Sequence, residues 1–189
     1  TAAKVIFMVP EDPHIYVKQM YWLPEDLLEQ RSKEDKIPYN LWHEQGILRT
    51  TPGNSVHYKF VTKWFLEIRD EYGIYLPWIG YDKWSAKYWV EEMEGYFGKE
   101  SMIAIAQGKQ TLSSPMKLLG ADLESKLINY NNHTIDKWCL SNTAIDVDKN
   151  LNIQPNKTKN QRRRIDGTAA LLNAYVVLQE KRNDYLNMI

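Results

Sequence analysis

The chain has one cysteine, Cys139, among 189 residues. That excludes an intrachain disulfide and a cysteine-based zinc cluster, and it fits a reducing compartment. Charge of either sign is not in excess: 24 basic residues balance 24 acidic ones. A polyanion-binding surface would therefore be local rather than spread over the molecule. No apolar run approaches the roughly 20 residues of a membrane helix. No GxxxxGK[ST] phosphate loop occurs, so ATP is not bound by that route. His57 and His133 have no partner at metal-ligand spacing, which argues against zinc. The N-terminal "TAAKVIFMVP" lacks the charged start and cleavage pattern of a signal peptide. It goes almost at once into a strand, and we expect a cut made inside a larger protein.

What is present is an ordinary globular composition, 43% apolar and 25% charged. A chain of this size buries roughly 70% of its unfolded surface. Ala3 to Val9 and His14 to Trp22 read as two strands of a hairpin around "EDP". Pro24 followed by acids signals a helix start. "ILRTTPG" reads as a short strand. "SVHYKFVTKWFLEIRDEYG" is the clearest helix, with Val56, Phe60, Val61, Trp64, Phe65 and Ile68 at three- and four-residue spacing. Ile74 to Asp82 is expected as a strand made irregular by Pro77. "KWSAKYWVEEMEGYFG" follows as a helix, then a strand over Ser101 to Gln107. The next helix is expected to start at Ser113 or Ser114, ahead of Pro115. A short helix in "NHTIDKWCLSN", a small hairpin in "TAIDVDKNLNIQPNK" and a last helix from Ile165 complete the order. Helices alternating with strands after an initial hairpin predict a mixed α/β sheet flanked by helices on both faces.

Two acids stand where chemistry is usually placed. Asp82 ends a buried-looking strand, and ligands of open α/β sheets lie outside the carboxyl ends of strands. Asp166 opens the last helix. Two carboxylates with oxygen-only ligation suit Mg²⁺ or Mn²⁺. The alternative for each is local: an Asp before a helix is usually a cap, and an acid in a first turn meets the helix dipole favourably. Lys157, Lys159, Arg162, Arg163 and Arg164 form a basic segment next to Asp166. It reads either as a solvated loop or as a phosphate contact. The seven Trp and twelve Tyr fall mostly at core spacing rather than as base-stacking platforms. Cys139 lies in an apolar helix and reads as core rather than nucleophile.

Segments spread along the chain resemble a known family. They are "WLPED" (Trp22 to Asp26), "IPYNLWHEQGILRTTPGN" (Ile37 to Asn54), "IGYDKWSA" (Ile79 to Ala86), "QGKQTLSSPMKLL" (Gln107 to Leu119), "WCLSN" (Trp138 to Asn142), "DKNLNIQPNK" (Asp148 to Lys157) and "RIDGTAALLNA" (Arg164 to Ala174). In this order they resemble the C-terminal nuclease domain of the large terminase subunit of tailed bacteriophages, of the HK97-like type. The resemblance implies one RNase H-like nuclease domain over residues 1–189. Its sheet is mixed and five-stranded, with flanking helices. It implies two-metal cutting of concatemeric double-stranded DNA during genome packaging, with Mg²⁺ or Mn²⁺ held by Asp82 and Asp166. It also implies a small terminase subunit and a portal or procapsid as partners, no membrane, and a host bacterial cytoplasm as location. In this family a further metal-binding Asp stands on the first, central strand. The chain begins at the strand after it, so that strand, its Asp and the upstream ATPase domain are expected to be missing. Neither Asp12 nor Asp26 is placed to substitute, and His57 stands where related sequences often carry an acid. Two other readings remain open at this point. One is a catalytically inactive module that docks on DNA or on the packaging machine. The other is a different RNase H-like enzyme of resolvase or transposase type.

Overall fold

The structure is a computed structural model, and it describes residues 1–84, 87–157 and 163–189, with the side chain at position 87 also left aside. Two strands, β1 (Ala2–Met8) and β2 (Ile15–Pro24), form the expected antiparallel hairpin, with Ala2 opposite Tyr21 and Met8 opposite Ile15. β2 is extended on its other side by two short parallel strands. β3 (Arg49–Thr51) lies at its C-terminal end and β6 (Ile128–Asn129) at its N-terminal end. A separate parallel pair joins β4 (Ile79–Asp82) to β5 (Met102–Ile105), and β7 (Thr143–Val147) and β8 (Ile153–Lys157) make a hairpin of their own.

Helices cover both faces. On one side α5 (Lys109–Glu124) and α7 (Asp166–Leu186) pack against the sheet through Leu112, Leu119, Leu172 and Val176, which meet Ile15, Val17 and Ile105. On the other side α3 (Lys59–Asp70) and α4 (Lys87–Phe97) bring Trp64, Phe65, Ile68 and Met93 onto Ala3, Val5 and Ile79. Alternation along β1 explains this: Val5 faces one layer and Ile6 the other. A third, aromatic cluster gathers Tyr21, Tyr39, Trp42 and Cys139 between α2 (Tyr39–Glu44) and α6 (Thr134–Asn142). The acid-rich segment after Pro24 forms α1 (Leu28–Asp35).

Two boundaries differ from expectation. The strand expected over Ile74 to Asp82 is paired only from Ile79. Pro77 has no N–H to give a ladder and confines pairing to the residues after it. The helix expected to begin at Ser113 or Ser114 begins at Lys109 after Gly108, so Pro115 lies inside it. There Pro115 leaves the carbonyl one turn earlier without its helical donor. The apolar face formed by Leu112 and Leu119, both buried, still holds the helix on the sheet. Packing thus outweighs the local proline signal.

Candidate active site

Two strand edges face an open space. β1 pairs with β2 on one side, and β4 pairs with β5 on one side; among the described residues neither has a strand partner on the other. Between them lies a slot of about 570 Å³. Its walls are Ala2 to Phe7 and Ile79 to Asp82, and Ala169, Ala170 and Ala174 of α7 form part of its lining. Asp82 and Asp166, distant in sequence, both line it.

Asp82 is half-buried as the last residue of β4, and its Oδ1 accepts the backbone N–H of Trp84 at 2.9 Å. That bond folds the chain back into the turn leading to α4 and fixes the carboxylate at the strand end. Asp166 is the first residue of α7, after the N-cap Ile165. Its Oδ1 lies 3.8 Å from the backbone nitrogen of Thr1. Partial burial works to raise the Asp166 pKa. The charges of Thr1, Lys157 and Arg164 outweigh it and hold the carboxyl below its ordinary value.

Close packing seats β4 and the start of α7 on their neighbours. At Gly80, a Cβ would lie 2.6 Å from Val177 Cγ2, 2.7 Å from Ile105 Cδ1 and 3.1 Å from the Asn173 carbonyl oxygen. β4 therefore touches α7 backbone to strand, two residues before Asp82. Gly80→Ala is expected to cost about 2–3 kcal/mol through overpacking; urea unfolding of the variant chain measures it. At Gly167 a Cβ would collide with the Tyr21 hydroxyl and lie 3.1 Å from Cys139 Sγ. The start of α7 is thus seated on β2 and α6. Two further contacts tie it to α6 and β7. The Asn142 side-chain amide donates to the Arg164 carbonyl at 3.0 Å, and the Thr143 and Thr168 hydroxyls lie 2.8 Å apart.

Beneath this seat is a buried ionic cluster. Lys4 is fully buried on β1, and its ammonium pairs with the Asp136 carboxylate of α6. The Tyr21 hydroxyl donates to the same Asp136 oxygen, and the Lys4 ammonium reaches the Tyr21 hydroxyl at 3.4 Å. The His133 ring stacks on Tyr21 at 5.8 Å, with Nδ1 3.5 Å from Asp136 Oδ2. Burial lowers the Lys4 pKa; Asp136 pushes it back up, with the net shift downward. The only hint in sequence was a lysine inside an otherwise apolar strand. Nothing local names its partner, 132 residues away.

Cys139 is buried, as the apolar spacing suggested, and burial pushes its thiol up to about 11. It is a packed thiol rather than a nucleophile. Of the basic segment, Lys157 ends β8 and is exposed, as is Arg163. Arg164 is half-buried and lies 3.4 Å from Asp35. Lys159 and Arg162 lie outside the described residues. His57 is exposed at the start of α3. No helix among the described residues is long and apolar enough to cross a membrane.

Residues 1–181 match the family model of the terminase large subunit, endonuclease domain. The large terminase subunit of Enterobacteria phage HK97 is 28% identical over 151 residues, covering 80% of this chain and 29% of that protein. The crystal structure of the HK97 bacteriophage large terminase superposes with a TM-score of 0.83 at 25% identity, covering 94% of this chain and 36% of that one. The chain thus spans about a third of the relatives it matches, and the mixed sheet between helix layers is that of their RNase H-like nuclease region. With a family model that covers nearly its whole length, the chain belongs to the terminase large-subunit endonuclease domains.

Proposed function

We propose that this domain hydrolyses phosphodiester bonds of double-stranded DNA with Mg²⁺ or Mn²⁺, held by Asp82 and Asp166. The carrying observation is that the two acids the sequence singled out line one slot at the ends of β4 and the start of α7. Their donors fit a hard divalent cation: both are carboxylates, and both line the same slot. Among the described residues no three His, Cys, Asp or Glu side chains gather as a metal site. Two carboxylates fall short of the usual set. The edges of β1 and β4, without a further strand partner among the described residues, fit a strand inserted between them, and an acid on that strand would complete the donors.

When bound, such ions supply an activated water nucleophile and stabilise the charge on the leaving oxygen. This chain's own residues place and orient. The strand-end turn holds Asp82, the seat formed by Tyr21, Cys139 and Asn142 holds Asp166, and the Gly80 contact sets them against each other. Lys157, Arg163 and Arg164 supply cations near Asp166 for the DNA backbone, and Lys159 and Arg162, outside the described residues, belong to the same basic stretch of sequence. In the larger protein the substrate is concatemeric viral DNA in the host cytoplasm. The small terminase subunit and the portal or procapsid are its partners there.

Plasmid cutting by the full-length protein tests this reading. Linear and nicked products are expected with Mn²⁺ or Mg²⁺ and none in EDTA; metal-independent cutting contradicts it. The shortfall of carboxylates also favours a second reading, in which these 189 residues alone dock on DNA without cutting it. Robust nicking of plasmid by this chain in Mn²⁺ rejects that second reading.

A further inference from the structure

A second cavity, of about 470 Å³, shares Asp166, Thr1 and Tyr58 with the slot and extends from them towards α1. Two guanidinium groups line it, those of Arg31 and Arg164. Arg31 lies one turn before Asp35 on α1, the spacing at which an arginine and an aspartate normally pair. Here Asp35 is engaged elsewhere. Its Oδ2 accepts the Tyr39 hydroxyl at 2.8 Å and faces the Arg164 guanidinium at 3.4 Å. Arg31 makes no ion pair or hydrogen bond among the described residues, and it is half-buried on the cavity wall. Of the two guanidinium groups on this wall, that of Arg164 is paired with Asp35, while that of Arg31 has no carboxylate partner among the described residues; the one carboxylate lining the recess is Asp166, at the end shared with the slot. The Arg31 charge attracts an anion, and the bidentate fork of arginine fits phosphate oxygens. The recess is wide enough for a phosphate with its sugar. Tyr58 and Trp138 add aromatic surface to its walls.

We infer that this cavity binds a DNA phosphate flanking the scissile one, with Arg31 as its principal cation. The inference rests on the nuclease reading and adds a substrate-positioning residue to it. Arg164, tied to Asp35, orients the wall and shares the anion, and Arg31 carries the contact.

The test is a chemical cycle in the full-length terminase. Duplexes carry a single uncharged methylphosphonate at each position flanking a mapped cut, and wild-type and Arg31→Gln enzymes cleave them with Mn²⁺. At one flanking position the wild-type enzyme is expected to lose about tenfold in cleavage rate, the worth of one charge-assisted contact. Arg31→Gln loses a similar factor on unmodified DNA and nothing further from that methylphosphonate. Arg31→Lys, which keeps the charge and the fold, retains part of the sensitivity. Equal penalties in wild-type and Arg31→Gln enzymes at every flanking position, with normal cutting of unmodified DNA, overturn the placement of Arg31. A wild-type enzyme that does not cut with either metal overturns the nuclease reading and this inference with it.

Discussion

Asp136→Ala is expected to destabilise the chain by about 3–5 kcal/mol, the cost of stranding a buried charge. The cost arises in the surroundings of Lys4, whose side chain is 0% exposed while that of Asp136 is 4% exposed. Asp136 is the only carboxylate paired with this ammonium among the described residues. Without it the Tyr21 hydroxyl and the Lys4 ammonium have no acceptor of that strength, and the hydroxyl that abuts Gly167 is released. The loss depends on pH with a definite sign. In the variant the amine loses the partner that held its pKa up, so its folded pKa falls further below the unfolded value of about 10.4. Between those two values the unfolded chain binds more protons than the folded one, and stability rises with pH. The deficit is therefore largest near neutral pH and narrows toward pH 10. Urea unfolding at several pH values measures it. A loss below about 1 kcal/mol that does not change with pH contradicts the buried-pair account.

Much of the architecture was legible because it is written locally. The hairpin of β1 and β2 follows from two apolar strands around "EDP", and α3 follows from a clean stripe from Phe60 to Ile68. Asp82 and Asp166 were legible as strand-end and helix-start acids, but their convergence on one slot was not. That depends on α7 crossing β1 and β4, a tertiary event with no local signature. The start of α5 was misplaced because Pro115 is a strong local signal and the sheet beneath it a stronger distant one. The Lys4–Asp136 pair was hidden for the same reason, since each residue taken alone resembles a surface side chain. Arg31 was hidden too. Its significance lies in Asp35 being engaged by Tyr39 and Arg164, which only the fold arranges.

The other large effect concerns the two acids. Asp82→Ala and Asp166→Ala each remove one of the two carboxylates that the described residues contribute to the slot. A lost metal ligand forfeits charge stabilisation worth several kcal/mol of barrier, at about tenfold in rate for each 1.4 kcal/mol. With so few donors, the expected loss here is at least about 10³-fold. Neither substitution touches the core: Asp82 sits at a strand end, and the Asp166 side chain is 48% exposed at a helix start. The variants are therefore expected to unfold at urea concentrations close to wild type. Loss of a first-turn acid costs α7 only about 0.3–1 kcal/mol of dipole interaction. The decisive measurement is Mn²⁺-dependent cutting of plasmid by the full-length protein carrying Asp82→Ala or Asp166→Ala, with folding checked by circular dichroism. A folded variant with cutting reduced at least about 10³-fold is the predicted result for each. Cutting at the wild-type rate by either variant would contradict the assignment of these two acids as metal ligands.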